Sequence, residues 1–235
     1  MANSTCDFSN TRARIVGSIG DAAILHTLDG ASAAASCEIV ELRLDLLDGQ
    51  AVPADWSHLR SLPVLMTARR ESEGGAKGLA DTRRLEMLEL ALVDAALVDL
   101  EVASIPAAAL LIDLLNASGT PWVASFHNFD RMPDLQELRD KAAAAKESGA
   151  AVFKAAATLH TPGDLARLAD FQLEDHGIPT ATMGMGPMAV VSRLLCAQCG
   201  SVLNYGYLGE SPTAPGQWSA GQMKSAVERL PRIGN

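Results

Sequence analysis

The sequence contains no apolar run that approaches the ~20 residues of a membrane-spanning helix. Residues 1–10 are polar and lack the apolar core of a secretory signal. Basic residues are in the minority, with 19 lysines and arginines against 28 aspartates and glutamates and a net charge of -9. Such a chain has no general electrostatic footprint for nucleic acid or anionic membrane. We therefore expect a cytoplasmic protein without nucleic-acid or membrane partners, in which a local arginine cluster would hold any anionic ligand.

Cysteine is also scarce, with residues at positions 6, 37, 196 and 199. Their spacing does not resemble a disulfide framework, and a chain of 235 residues can build its core without one. Cys196 and Cys199 form a C-x-x-C pair, but they lie in an apolar segment that predicts a helix and have no second Cys/His pair nearby. We interpret them as core or helix-surface residues and expect no metal site.

The sequence lacks a linker, a low-complexity stretch and a regular glycine-rich phosphate loop. Such a loop would favour a doubly wound open sheet, which is the alternative fold. The segment 17–20 (Gly-Ser-Ile-Gly) is too short and irregular for it, and the segment 184–186 (Gly-Met-Gly) is a weak match. No boundary divides the chain, so we expect one domain over residues 1–235.

Short apolar runs alternate with longer amphipathic stretches along the chain. The candidate strands are 14–17, 39–44, 64–68, 97–101, 122–126, 151–155, 180–183 and 202–207. The candidate helices are 21–36, a short piece near Trp56, 81–95, 105–116, 135–148, 162–175, 188–199 and 220–229. This alternation is typical of parallel strands joined by helical crossovers. Its repetition predicts an α/β fold, a single (β/α)₈ TIM barrel.

Lys154 is the most informative residue. It lies in the apolar run 149–157, which predicts a buried strand. Burial disfavours the ammonium form, lowers the lysine pKa and frees the amine as a nucleophile toward carbonyl groups. The alternative is a lysine at a strand end whose ammonium reaches water.

Other polar side chains collect at the predicted carboxyl ends of the strands, where barrel enzymes carry out their chemistry. In chain order they are Glu41, Arg43, Asp45, Arg69, Arg70, Glu71, Glu73, Asp99, Glu101, His127, Lys154, Ser192, Arg193, Thr213 and Gln217. Structural readings stay open: an ion-pair ladder for Glu41, Arg43 and Asp45, a solvated loop carboxylate for Glu73, and a structural histidine for His127.

A lysine and a histidine in one pocket indicate Schiff-base chemistry. The amine condenses with a ketone, and the protonated imine then accepts electrons from the adjacent carbon. A histidine can remove the α-proton and deliver a proton to a leaving group, and a carboxylate bonded to its ring would fix the tautomer. Arginines would bind a substrate carboxylate, preferably with two parallel hydrogen bonds.

These residues, in this order, resemble the type I 3-dehydroquinate dehydratases of the shikimate pathway over nearly the whole chain. The matching segments are 40–45 (VELRLD), 67–75 (TARRESEGG), 125–129 (SFHNF), 153–156 (FKAA), 192–193 (SR) and 214–217 (APGQ). The resemblance implies a barrel that is usually a homodimer, and a lyase that dehydrates 3-dehydroquinate to 3-dehydroshikimate without metal or organic cofactor.

The resemblance also implies a role for each matching residue. Lys154 would form the imine at C3 of the substrate. His127 would remove a C2 proton and protonate the departing C1 hydroxyl, with Glu73 orienting its ring. The expected substrate-binding residues are Arg193, Gln217 and Thr213 at the carboxylate, and Glu41, Arg43 and Arg69 at the ring hydroxyls.

Four positions depart from the family pattern. Thr213 stands where serine is frequent, which keeps the hydroxyl. Ala189 stands where a glycine is usual, three residues before the Ser-Arg pair. Asn204 and Tyr205 stand where Thr-Phe is common. None of them is among the expected acid–base residues.

Two other functions use the same residues. A Schiff-base aldolase would share Lys154 but does not require the set Glu41, Arg43, Arg69 and Arg193. A non-catalytic relative could bind a metabolite without turnover, although the presence of Lys154, His127 and Glu73 argues against it.

Overall fold

The computed structural model describes residues 8, 12–47 and 55–231. Its strands form one parallel sheet in the order β7-β6-β5-β4-β3-β2-β1-β8. They are β1 (Arg14–Ile19), β2 (Ile39–Arg43), β3 (Val64–Thr67), β4 (Leu97–Glu101), β5 (Trp122–Asn128), β6 (Val152–Thr158), β7 (Thr180–Met185) and β8 (Leu203–Tyr207). The amide of Val202, just before β8, donates to the Thr180 carbonyl of β7 at 2.9 Å. The sheet is therefore a nearly closed barrel, which confirms the predicted TIM-barrel fold.

α-Helices follow every strand except β2, after which the described residues contain only a 3₁₀ helix near Trp56; two α-helices follow β1. The α-helices are α1 (Ala22–Thr27), α2 (Gly30–Ser36), α3 (Asp81–Ala91), α4 (Ala109–Ser118), α5 (Leu135–Glu147), α6 (Pro162–Leu173), α7 (Ala189–Gln198) and α8 (Ala220–Arg229). Short 3₁₀ helices cover Ser57–Leu59, Glu71–Glu73, Val102–Ala107 and Gly186–Met188.

The predicted helix 21–36 was wrong as a single element, because α1 and α2 divide it. Asp21 caps the first helix by accepting from the amides of Ala23 and Ile24. Asp29 has extended backbone angles and caps the second helix in the same way. An aspartate that binds the next amides through its side chain favours a helix start over a helix interior.

The predicted helix 105–116 also begins later than expected. Pro106 lies inside a 3₁₀ helix that ends at Ala107, and α4 starts at Ala109. Proline cannot donate a backbone hydrogen bond, so the segment around it does not continue as a regular α-helix.

The barrel interior is layered because alternate residues of each strand point inward. The layer near the amino ends is a buried apolar cluster that includes Val16, Ile39, Leu65, Leu97, Val123, Val152, Ala181 and Leu203. Two residues further along each strand stand Ser18, Glu41, Thr67, Asp99, Ser125, Lys154, Met183 and Tyr205. We call this second set the polar layer. The first layer closes the barrel floor, so the polar layer faces the carboxyl ends.

Candidate active site

Lys154 lies inside the barrel rather than at a strand end. The predicted strand 151–155 was too short, because β6 continues to Thr158. Lys154 is only 4% exposed, so the alternative of a lysine that reaches water is wrong. Its Nζ donates to Asp99 Oδ2 at 3.1 Å and lies 4.1 Å from the centre of the Tyr205 ring.

Burial is the largest effect on this amine and lowers the pKa of Lys154. The Asp99 carboxylate opposes that shift, while the nearby Arg69 guanidinium adds to it. A lysine whose ammonium group loses its proton more easily than usual supplies the free amine, which is the nucleophile.

His127 and Glu73 form a pair at the carboxyl end of β5. Oε2 of Glu73 is 2.9 Å from the backbone nitrogen of His127, which donates to it, and 3.0 Å from His127 Nδ1. Burial, followed by the charges of Arg69 and Lys154, lowers the pKa of His127 well below its usual value. The imidazole is therefore neutral, and a Nδ1–H that donates to Glu73 leaves Nε2 as a free base.

Glu73 is buried at 7% exposure, so it is not the solvated loop carboxylate of the structural alternative. Burial is the main cause that raises the pKa of Glu73 to about 7, with Arg69 opposing the shift. The Gly74-Gly75 pair places this carboxylate. Gly74 has a φ of 86°, and a Cβ on Gly75 would clash with the Arg69 carbonyl. The 3₁₀ turn can thus fold back onto the end of β3 only because both residues lack side chains.

The structural alternative of an ion-pair ladder through Glu41, Arg43 and Asp45 is only half present, because Arg43 pairs with Asp45 and Glu41 takes no part. Arg43 binds Asp45 through two hydrogen bonds of 2.9 and 2.7 Å. Glu41 instead accepts from the hydroxyls of Ser18 at 2.5 Å and Thr67 at 2.8 Å. Both Glu41 and Arg43 line the cavity, so part of each side chain faces the space above the polar layer.

Arg69 connects the carboxylates of this site. Its Nη1 is 2.8 Å from Asp99 Oδ1 and 3.2 Å from Glu101 Oε1, and it also contacts the Ser125 hydroxyl at 2.5 Å. Asp99 and Glu101 raise the pKa of Arg69 even though burial acts against its charge. Arg69 therefore stays a cation and balances the acidic groups around Lys154.

Arg193 of α7 is a buried cation at 2% exposure. Its Nη1 donates to the Tyr205 carbonyl at 2.8 Å, and its Nε has no hydrogen-bond partner. Among the described residues no carboxylate forms an ion pair with it. Burial lowers the pKa of Arg193 to about 10, so the guanidinium is charged at neutral pH. A buried cation that lines a cavity without a counter-ion is suited to bind an anionic group.

Thr213 and Gln217 lie in the loop after β8 and are bonded to each other. The amide and the hydroxyl of Thr213 donate to Gln217 Oε1 at 3.0 and 2.9 Å. With that oxygen engaged, the Gln217 amide group keeps its two N–H donors. Ser192, which the sequence placed at the strand ends, serves the backbone instead: its hydroxyl donates to the Ala189 carbonyl and accepts from the Gly184 amide.

One cavity brings all the expected site residues together. Its lining includes Lys154, His127, Glu73, Glu41, Arg43, Arg69, Arg193, Thr213 and Gln217. The sequence did not assign a role to three other groups around Lys154: the Asp99 carboxylate, the Ser125 hydroxyl and the Tyr205 ring. Their position in the sequence could have indicated them. Each stands two residues after a residue of the apolar floor and therefore points into the barrel.

The C-x-x-C pair lies away from this chemistry. Cys196 is fully buried on α7, and burial raises the pKa of its thiol to about 12. Cys199 follows the helix and is a free cysteine, as Cys196 is. A thiol with a raised pKa is a poor nucleophile and a poor metal ligand, which agrees with a structural interpretation. Cys6 lies outside the described residues.

No helix in the described ranges combines the length and the apolarity that crossing a membrane requires.

The fold and the cavity define a class: a (β/α)₈ barrel with a buried lysine and a histidine–carboxylate pair at the carboxyl ends of its strands. Comparison with known proteins gives the family. Residues 22–231 match the family model of the type I 3-dehydroquinases. The chain belongs to the type I 3-dehydroquinase family, as its resemblance in sequence predicted.

Two relatives in sequence agree with this assignment, and one solved structure agrees in fold. The chain is 32% identical over 193 residues to a 3-dehydroquinate dehydratase of Methanothrix thermoacetophila, covering 82% of each chain. It is 29% identical over 229 residues to that of Shouchella clausii, covering 90% of this chain and 88% of the relative. The crystal structure of 3-dehydroquinate dehydratase from Geobacillus kaustophilus superposes with a TM-score of 0.81 at 24% identity, over 93% and 91% of the two chains.

Proposed function

We propose that this cavity dehydrates 3-dehydroquinate, the reaction of the family, through an imine on Lys154. The observation that carries the proposal is that one cavity holds a buried lysine with a lowered pKa and a neutral histidine bonded to a carboxylate. The type I dehydratase is a hydro-lyase, and family membership supports it over the aldolase and the non-catalytic alternatives.

The first step uses the amine of Lys154. Free amine adds to the C3 ketone and water is lost, which leaves a protonated imine that withdraws electrons from C2. The amine reacts after its ammonium proton has been lost to solvent. Asp99, 3.1 Å away, stays ionised because Arg69 and Lys154 hold its pKa well below the usual value, and it supplies a counter-charge for the iminium.

The second step uses His127. Nε2 removes a C2 proton, the electron pair forms the C1–C2 double bond, and the C1 hydroxyl leaves as water with a proton from the imidazolium. Glu73 holds the Nδ1–H and stabilises the transient positive charge on the ring. Water then hydrolyses the imine, releases the enone product and regenerates Lys154.

The remaining polar groups of the cavity would bind the substrate. Arg193 has no counter-ion among the described residues and would hold the substrate carboxylate, together with Gln217 and Thr213. Glu41, Arg43 and Arg69 also line the cavity and would contact the ring hydroxyls. No step in this scheme is assigned to a metal or an organic cofactor.

Borohydride reduction in the presence of 3-dehydroquinate tests the proposal. Mass spectrometry of the wild type should find the reduced adduct on Lys154, and Lys154→Ala should give none. Lys141→Ala is the matched control, because Lys141 lies on α5 over the Phe126 ring and should be dispensable. An adduct that persists in Lys154→Ala would contradict the assignment.

We also propose a homodimer. Leu90 at the end of α3 and Val93 just after that helix are 71% and 76% exposed, and Leu110 on the adjacent α4 is 65% exposed. Exposed apolar patches of this kind are typical of association surfaces. Analytical ultracentrifugation should give twice the 24.7 kDa chain mass, and Leu90→Asp should lower the measured mass.

Cytoplasmic localisation and a single domain over residues 1–235 stay predictions, which cell fractionation and limited proteolysis would check.

A further inference from the structure

Tyr205 differs from the other polar side chains of the polar layer. Ser18, Glu41, Thr67, Asp99, Ser125 and Lys154, all in the described part of the chain, have hydrogen-bond partners there. The Tyr205 hydroxyl is buried and has none. The whole residue is only 3% exposed, and it lines the same cavity as Lys154 and His127.

Tyr205 contacts the two groups that matter most for an anionic ketone, one through its ring and the other through its backbone. Its ring centre lies 4.1 Å from Lys154 Nζ, and its backbone carbonyl accepts from Arg193 Nη1 at 2.8 Å. Burial, followed by the charges of Asp99 and Glu41, raises the pKa of Tyr205 well above its usual value. The phenol therefore keeps its proton and remains a hydrogen-bond donor throughout the neutral range.

An unpaired hydroxyl in the interior costs free energy, and a phenylalanine at this position would avoid the cost. The Tyr205 hydroxyl is present although burying it unpaired costs free energy. This indicates that the molecule that enters the cavity supplies its hydrogen-bond acceptor.

We propose that Tyr205 is a substrate-binding residue whose hydroxyl donates a hydrogen bond to a substrate oxygen between the Lys154 imine and the carboxylate at Arg193. The oxygens in that region are those on C1, the carboxylate and the leaving hydroxyl. The ring faces the Lys154 amine, so the same residue touches the nucleophile and the ligand. The proposal rests on the proposed function, because it uses the substrate orientation assigned there.

Tyr205→Phe tests the proposal, since it removes the hydroxyl and keeps the ring over Lys154. Loss of one hydrogen bond should lower kcat/KM for 3-dehydroquinate by about three- to tenfold. The thermal midpoint without substrate should stay the same or rise, because no protein group loses a partner. Tyr207→Phe is the matched control: Tyr207 is on the same strand, is half-buried and is not among the described residues that line the cavity.

Each outcome has a defined meaning. A lower kcat/KM with an undiminished thermal midpoint, seen in Tyr205→Phe and not in Tyr207→Phe, supports the proposal. Wild-type kcat/KM in Tyr205→Phe overturns it, and so does a loss of thermal stability that accompanies the loss of activity. Borohydride trapping separates the two hypotheses: a wild type that forms an adduct upholds the imine chemistry even where Tyr205→Phe behaves as wild type, whereas a wild type without any adduct overturns both.

Discussion

Glu73→Gln should make the protein more stable and less active at the same time. The carboxylate is 7% exposed, and burial raises its pKa to about 7 from an ordinary 4.5. Because the folded-state pKa is the higher one, the contribution of this group to stability is fully present below about pH 4.5. It is lost as the pH rises through about 7.

The magnitude follows from the two pKa values. At 1.36 kcal/mol per unit, keeping Glu73 ionised in the fold costs up to about 3 kcal/mol above pH 7. Glutamine has nearly the same shape and no charge, so Glu73→Gln should recover much of that at pH 8. For a chain of this length the gain corresponds to a rise in Tm of up to roughly 10 °C. Near pH 5 the difference should shrink to under about 1 kcal/mol.

Activity should change in the opposite direction. Ionised Glu73 accepts the Nδ1–H of His127 at 3.0 Å, so wild-type kcat/KM should rise with pH through about 7. A neutral amide holds the imidazole less firmly and stabilises its positive charge less. We therefore expect a loss of about 10–100-fold in kcat and the disappearance of this limb of the pH profile.

Thermal unfolding and steady-state kinetics between pH 5 and 8.5 would measure both effects. The matched control is Glu71→Gln, on the same 3₁₀ turn, whose exposed carboxylate accepts from the Gly78 amide at 2.9 Å. It should leave the pH profile of activity unchanged. A Glu73→Gln variant that is no more stable than wild type at pH 8, or that keeps the wild-type pH limb, would refute the reasoning.

Three further variants test the other parts of the site. Lys154→Ala should abolish turnover, because the cavity then lacks its amine; a reduced substrate adduct on Lys77, Lys141 or Lys146 would contradict this. His127→Ala should slow turnover by about 10²–10⁴-fold and accumulate the covalent imine in mass spectra, whereas an unchanged kcat would remove His127 from the mechanism. Arg193→Lys should raise KM more than it lowers kcat, because an ammonium cannot donate two parallel hydrogen bonds; a wild-type KM would move the carboxylate site toward Arg43 and Arg69.

The barrel fold was predictable because each of its strands and helices is indicated by a pattern within a few consecutive residues. Each strand is a short apolar run, and each crossover helix follows it with its own polar face, so periodicity alone indicates a parallel α/β fold. Helix boundaries were less predictable. The break between α1 and α2 depends on the side chain of Asp29 binding two amides, which competes with helix continuation and leaves no trace in the hydrophobic pattern.

The expected site residues gather in one cavity because barrel strands end on the same face. Their partners were harder to predict. Lys154 binds Asp99, and that pairing joins β6 to β4 across β5, so no spacing in the chain encodes it. Glu41 accepts from the hydroxyls of Ser18 and Thr67 and does not pair with Arg43, because its side chain points into the barrel beside the neighbouring strands β1 and β3. Such choices are set by the tertiary arrangement of neighbouring strands.

The barrel floor explains why so many charges can stand together above it. The apolar layer from Val16 to Leu203 closes the barrel from below. Above it, burial is the main cause that lowers the pKa of Lys154 and of His127 and raises that of Glu73. The same burial would neutralise Asp99 if Arg69 and Lys154 did not hold its pKa well below the usual value. One desolvated environment thus produces an ionised carboxylate, a neutral histidine and a lysine ready to lose its proton. Imine formation and proton transfer at neutral pH need all three of these states.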